Sequence, residues 1–363
     1  MNPTALCARL GIELPILQSG MGTTAGPELV AAVSQAGGLG ILGSMGVPLD
    51  HVRHNLRRVR EITDKPFGVN QWLHPAILPP AEPAAIAGEG VEQVQRQLNV
   101  FRRRLGLAET LGRPPRFPDT VEAVFETILE ERVPVWSIGL GDPGRERVRR
   151  CHERGIRVIA MACTVEDARA LAASGVDAIV AQGAEAGGHR STWVKPRSLQ
   201  RAAIGTLALV PQVVDAVDVP VIAAGGIVDG RGLVAALALG AQAVLLGTRF
   251  VATLESAAAE FWKRSVLEAG DDATVLTDAF TGLWARVLGN RLTDEYAAPT
   301  LPGMLQGTAL ADVVQGALAQ ADREHYPLYA GQGAGIVRDL PGAGEVVRAI
   351  AEEASAVLER LRA

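Results

Sequence analysis

The 363-residue chain predicts an α/β fold: a (β/α)8 barrel with an insertion after its third strand and a smaller, mainly helical C-terminal lobe. Three observations carry that prediction. Eight short apolar runs occur between residues 15 and 246. Most are continuous rather than alternating, the pattern of parallel strands covered on both faces. Helical patterns separate most of them, and several end in glycine, where barrels of this type place their ligand loops.

The strands fall at 15–18, 39–42, 66–70, 133–137, 157–161, 177–181, 220–224 and 243–246. A helix over 27–36 carries Leu29, Val30 and Val33 on one face, with Pro27 at its start and Gly37-Gly38 beyond its end. Helices over 165–174 and 231–239 close on Gly175 and Gly240. About sixty residues separate the third and fourth strands. That stretch, about 75–130, reads as an insertion with a helix over 91–105 and a basic turn at Arg113-Pro114-Pro115-Arg116. Arg102, Arg103 and Arg104 are expected on a solvated helix face. After the eighth strand come roughly a hundred residues that are mostly helical by pattern. The last helix, 344–361, shows an apolar stripe at Val346, Val347, Ile350 and Val357. The expected division is a barrel over 1–253, a lobe over 254–330 and a segment over 331–363 packing back on the barrel.

A doubly wound dinucleotide-binding sheet is the alternative. Gly20-Met21-Gly22-Thr23-Thr24-Ala25 fits the looser form of its glycine fingerprint. The supporting acid should stand about 20 residues on, at the end of the second strand. That strand ends in Leu42-Gly43-Ser44, so the barrel is preferred.

A hydrophobic share of 48% allows a sizeable core, and a net charge of −5 argues against a nucleic-acid surface. Cys7, Cys151 and Cys163 are odd in number and widely spaced, with neither a disulfide framework nor a zinc pattern. A reduced, cytoplasmic compartment fits. The N-terminus has no basic region followed by an apolar one, and no uncharged run reaches spanning length. No membrane or metal is expected.

The chemistry concentrates in Gln182-Gly183-Ala184-Glu185-Ala186-Gly187-Gly188-His189-Arg190, directly after a strand. Glycines let backbone approach a ligand closely, and histidine titrates near neutrality. Of six histidines, only His189 combines a strand-end placement with a glycine approach. His51 and His54 share a helix face, His152 lies at the wrong end of the barrel, His325 sits in the tail, and His74 has no glycine context. The ends of strands seven and eight, Gly225-Gly226 and Gly247-Thr248, stand where such barrels bind phosphate. Their N–H groups could cradle it, with Arg249 adding a charge. Asn70 and Gln182 either reach a polar ring edge or cap a loop. Cys163 reads as a buried, inert thiol.

With these residues in view, the chain resembles the flavin-dependent nitronate monooxygenase family, formerly called 2-nitropropane dioxygenases. The matching segments are 15–22, 36–40, 66–70, 182–190, 223–227 and 246–250, with 277–282 (Thr-Asp-Ala-Phe-Thr-Gly) and Ala330-Gly331-Gln332 further on. The resemblance implies a TIM barrel with a smaller lobe, and FMN as cofactor. It places Met21, Gly22, Asn70, Gln182, Gly183 and Gly188 about the flavin, Gly225, Gly226, Gly247 and Thr248 on its phosphate, and His189 as the active-site histidine. The implied reaction oxidises alkyl nitronates with O2 to a carbonyl compound and nitrite. His189 would bind the anionic nitronate or take a proton from a neutral nitroalkane. A homodimer is compatible with the family. Two departures bear on substrate size: Leu283-Trp284 stands where the family often has Arg-Pro, and Trp193 follows His189 closely. FMN-dependent enoyl-acyl-carrier-protein reductases, which need NAD(P)H, carry nearly the same Glu-Ala-Gly-Gly-His segment, and related barrels reduce quinones.

Overall fold

The computed structural model describes residues 3–74, 77–191 and 203–362. Eight parallel strands form one sheet. They are β1 (Ile16–Gln18), β2 (Gly40–Gly43), β3 (Phe67–Leu73), β4 (Val135–Gly141), β5 (Arg157–Ala162), β6 (Ala178–Gln182), β8 (Val221–Ala224) and β9 (Ala243–Leu246), in the order β1-β9-β8-β6-β5-β4-β3-β2. The seam closes between β1 and β2. Leu39 N–H donates to Ile16 O at 3.0 Å and Gln18 N–H to Leu39 O at 2.9 Å. The buried Gln18 side chain extends this short ladder, accepting from Ile41 N–H at 3.1 Å and donating to Ile41 O at 3.3 Å. All eight predicted strands are present, and the barrel is the correct fold class.

The continuous apolar runs are explained by the two faces of each strand. Ala178 and Val180 of β6, Ile222 and Ala224 of β8, and Ala243 and Leu245 of β9 point into the barrel lumen. Ile179, Ala181, Val221, Ala223, Val244 and Leu246 face the surrounding helices. Neither face meets water, so no polar residue alternates. The helix Ala5–Leu10 seals the lumen with Leu6, Cys7 and Leu10. The final helix, Ala343–Arg362, joins the outer barrel core through Val346, Val347, Ile350, Ala354 and Val357.

The region after β9 is mainly helical, as expected, with one addition: β10 (Thr274–Thr277) and β11 (Ala285–Leu288) form an antiparallel pair. Their third partner is β7 (Gly188–His189), so the sheet runs β10-β11-β7. A two-residue strand has no periodicity that a sequence could display, and the apolar run of β11 reads equally as helix. The inserted helix Gly88–Arg104 packs on this lobe, with Val91, Val94, Leu98 and Phe101 against Phe280, Leu305, Leu310 and Val313. Trp193 falls outside the described residues. Among the described residues, no helix is long and apolar enough to cross a membrane.

That packing corrects the reading of Arg102. It is buried, not solvated. Its Nε donates to Asp312 at 2.7 Å, one terminal nitrogen to Gln95 (2.8 Å) and Asn99 (2.9 Å), and the other to the Ala309 carbonyl at 2.7 Å. One guanidinium thus satisfies groups from the insertion and the lobe together. Arg102→Ala is expected to lower unfolding stability by about 3 kcal/mol, because it strands several buried acceptors. The urea midpoint measures it, and a loss under about 0.5 kcal/mol, the size of a surface change, would contradict the network.

Candidate active site

The carboxyl ends of the strands meet the lobe around a cavity of about 440 Å³. Met21, Gly22, Asn70, Gln182, Gly188, His189, Gly247 and Thr248 all line it. A narrower pocket of about 60 Å³ adjoins it, lined by Gly225, Gly226, Gly247, Thr248 and Gly331. Ser19, Gln182, Gly187, Gly247 and Thr248 border both, so the two spaces are contiguous. Nine of the ten residues expected around a flavin, and the histidine, therefore come together. Gly183 lines neither space. A Cβ there would lie 1.9 Å from Thr206 Oγ1, so its glycine serves the packing of the helix Thr206–Val214.

Glycines supply much of the narrow pocket's wall, beside Glu185, Ile227 and Leu246. Gly225 and Gly226 have φ of +111° and +69°, conformations open to glycine. Arg249 does not reach it. Its guanidinium is buried against Asp339, 2.9 Å from Oδ1. Thr248 Oγ1 accepts from Gly331 N–H at 2.9 Å, which fixes the neighbouring wall.

Gln182 holds the histidine loop. Its Nε2 donates to the His189 carbonyl at 2.9 Å, and its Oε1 accepts from Ser191 N–H at 3.2 Å and from the Cys163 thiol at 2.8 Å. Cys163 is buried, as expected of an inert thiol. Arg190 braces the same loop from behind, donating to the carbonyls of Gln182 and Gly183. From the lobe, Arg286 donates to the Ala184 carbonyl at 2.9 Å. β7 then pairs His189 with Ala285, and Arg190 N–H donates to Trp284 O at 2.8 Å. The histidine is held by barrel and lobe at once.

The His189 ring sits against Trp72, 4.6 Å between centroids, and Tyr329, 5.3 Å. Nε2 lies 2.8 Å from Thr281 Oγ1. Burial pushes its pKa down to about 3, and His74 nearby acts in the same direction. The imidazole is neutral at pH 7, so it offers a substrate a dipole and a lone pair, not a positive charge. Among the described residues no Asp, Glu, Lys or Arg side chain lines the large cavity. Burial likewise holds the Tyr329 phenol well above its usual pKa, so it too stays neutral.

A depressed histidine pKa carries a sign. The unfolded chain binds this proton below about 6.5, whereas the folded state takes it only near 3. Stability from this group is complete above pH 6.5 and is lost as pH falls toward 3. His189→Asn is expected to flatten that limb of a plot of urea midpoint against pH. An unchanged slope in the variant would place the titration elsewhere.

Sequence reasoning missed the aromatic and lobe-borne parts: Trp72, Trp262, Thr281, Met304, Tyr326 and Tyr329. One signal was present. The chain has three tyrosines, and two of them stand here, in the segment next to Ala330-Gly331-Gln332.

The family model described as nitronate monooxygenase matches residues 4–353. A probable nitronate monooxygenase of Staphylococcus aureus (strain MSSA476) is 35% identical over 367 aligned positions, covering 99% of both chains. The solved nitroalkane oxidase from Streptomyces ansochromogenes aligns with a TM-score of 0.87 and 36% identity, over 98% of this chain and 99% of that one. FabK from Thermotoga maritima aligns with a TM-score of 0.78 and 32% identity, over 100% of this chain and 99% of that one.

Proposed function

Because this chain belongs to the nitronate monooxygenase family, we propose that it is an FMN-dependent oxidoreductase that oxidises alkyl nitronates with O2 to carbonyl compounds and nitrite. The observation that carries this reading is a neutral histidine, strapped between barrel and lobe, facing an aromatic cavity that no charged side chain among the described residues lines, beside a glycine-rich pocket.

The residues fit the cofactor. Backbone N–H groups at Gly225, Gly226, Gly247 and Thr248 suit a phosphate, and a side chain at Gly225 would fill the space beside Ala186. Met21, Gly22, Asn70, Gln182 and Gly188 border the larger cavity, where the flavin ring belongs. Asn70 is fixed by a 3.0 Å bond to Ser137, so its amide presents one orientation. Bound there, the flavin supplies the redox chemistry and the reaction with O2.

The protein's own share is binding and proton handling. Trp72, Trp262, Tyr326, Tyr329 and Met304 give the alkyl group an apolar wall and keep water from it. A nitronate needs no proton removed from carbon. A neutral nitroalkane does, and among the described residues lining the cavity His189 is the titratable group that can accept it, because both tyrosines are held protonated by burial. The barrel of residues 1–253 carries the flavin, and the lobe of residues 254–330 roofs the substrate.

Two measurements test the reading. Acid-released cofactor is expected to chromatograph as FMN, and a different flavin would contradict that part. Purified protein given an alkyl nitronate in air is expected to release nitrite in proportion to nitronate consumed. No nitrite with nitronate, together with turnover of NAD(P)H, would favour the competing reductase reading.

A further inference from the structure

The Thr281 hydroxyl has three neighbours. His189 Nε2 lies at 2.8 Å, the Leu283 carbonyl at 3.2 Å, and the Leu283 N–H at 3.4 Å. Thr281 is buried, so its hydroxyl has little call on water. A hydroxyl has one hydrogen to give and two lone pairs. If that hydrogen goes to His189, the Leu283 carbonyl loses this donor. If it goes to Leu283, all three contacts are hydrogen bonds, and Nε2 must carry the imidazole hydrogen. The second arrangement makes one more bond inside a buried site, where an unmade bond is costly.

A neutral imidazole carries a single N–H. We propose that Thr281 is a positioning residue that holds His189 as its Nε2–H tautomer, leaving Nδ1 as the proton acceptor toward substrate. The strand pairing makes this a fixed arrangement. His189 is registered on Ala285, and Arg190 N–H is tied to Trp284 O, so segment 281–284 cannot slide past the ring.

The proposal deepens the proposed function and rests on it for its substrate. With a neutral nitroalkane, the α C–H bond breaks and its electron pair stays on the substrate as the nitronate. The proton forms the new N–H bond at Nδ1. Nε2–H keeps its bond to Thr281 throughout, so the imidazolium needs no rearrangement around it. The nitronate anion formed beside it is its counter-charge. One site thereby prepares from the neutral acid the anion that it oxidises.

The test is ¹⁵N NMR of the FMN-loaded protein with labelled histidine, since the two neutral tautomers give distinct long-range ¹H–¹⁵N patterns. The His189 signal, identified by its absence in His189→Asn, is expected in the Nε2–H form. Thr281→Val should shift it toward a mixture of tautomers, and Thr281→Ser, which keeps the hydroxyl, should restore it. In parallel, Thr281→Val should lower the ratio of kcat/KM for nitroalkane to that for nitronate about tenfold, within the span of a general-base contribution, and Thr281→Ser should recover it. A wild-type Nδ1–H signal, or a tautomer indifferent to Thr281→Val, would overturn the inference. The NMR readout does not depend on turnover. A Thr281-dependent Nε2–H form in a protein that oxidises neither substrate would instead overturn only the proposed function.

Discussion

His189→Asn lowers kcat/KM for a neutral nitroalkane by about 10²–10⁴-fold, the usual worth of a positioned general base, and lowers it less for the matching nitronate. The expectation follows from charge and place. Among the described residues of the cavity, the imidazole is the titratable group that is free of its proton at pH 7, since burial depresses its pKa while raising that of Tyr329. Asparagine keeps a polar group but takes no proton. A charged histidine would predict the opposite pattern, with the anion suffering most. The depressed pKa also predicts no inflection from this group near pH 6.5 in the free-enzyme profile of kcat/KM. Equal losses on both substrates would mean that His189 binds or packs and does not move a proton.

Gly225→Ala is expected to release the cofactor. The φ of +111° at this position is one that a side chain rarely adopts, and such strain costs on the order of 1–3 kcal/mol. The added Cβ would also stand 2.8 Å from Thr206 Oγ1 and 3.1 Å from Ala186 N. One neighbour opens the helix Thr206–Val214 and the other lies in the packed loop after β6, so the backbone at 225–226 must yield. Moving two of the four N–H groups proposed to hold the phosphate should weaken flavin binding by about tenfold to a hundredfold for a loss of about 1.4–2.8 kcal/mol. Flavin absorbance retained after gel filtration measures this. A yellow variant with unchanged affinity would place the phosphate elsewhere.

The barrel was legible because its signal is compositional. Runs such as Val221–Ala224 and Ala243–Leu246 are apolar on both faces, and that holds whatever loops follow. Most of the glycine and amide residues were legible because they sit at strand ends, where the fold itself dictates the site. The lobe contribution was not. Thr281 and Tyr329 are far from His189 in sequence, and their meeting depends on a two-residue strand pairing with Ala285 and Arg286. Arg102 shows the same limit from the other side: three consecutive arginines look alike in sequence, and only the lobe packed on one helix face decides which is buried. Gly183 and Arg249 lie within matching segments yet serve packing and an ion pair, because a local motif does not record which way a side chain turns.

The most direct test is anaerobic stopped-flow absorbance of the flavin-loaded protein, mixed in one run with an alkyl nitronate and in another with NADH or NADPH. Rapid loss of the flavin absorbance with nitronate alone, and its return when air is admitted, is the expected result. Bleaching by a pyridine nucleotide with none by nitronate would contradict it and assign the site to a reductase.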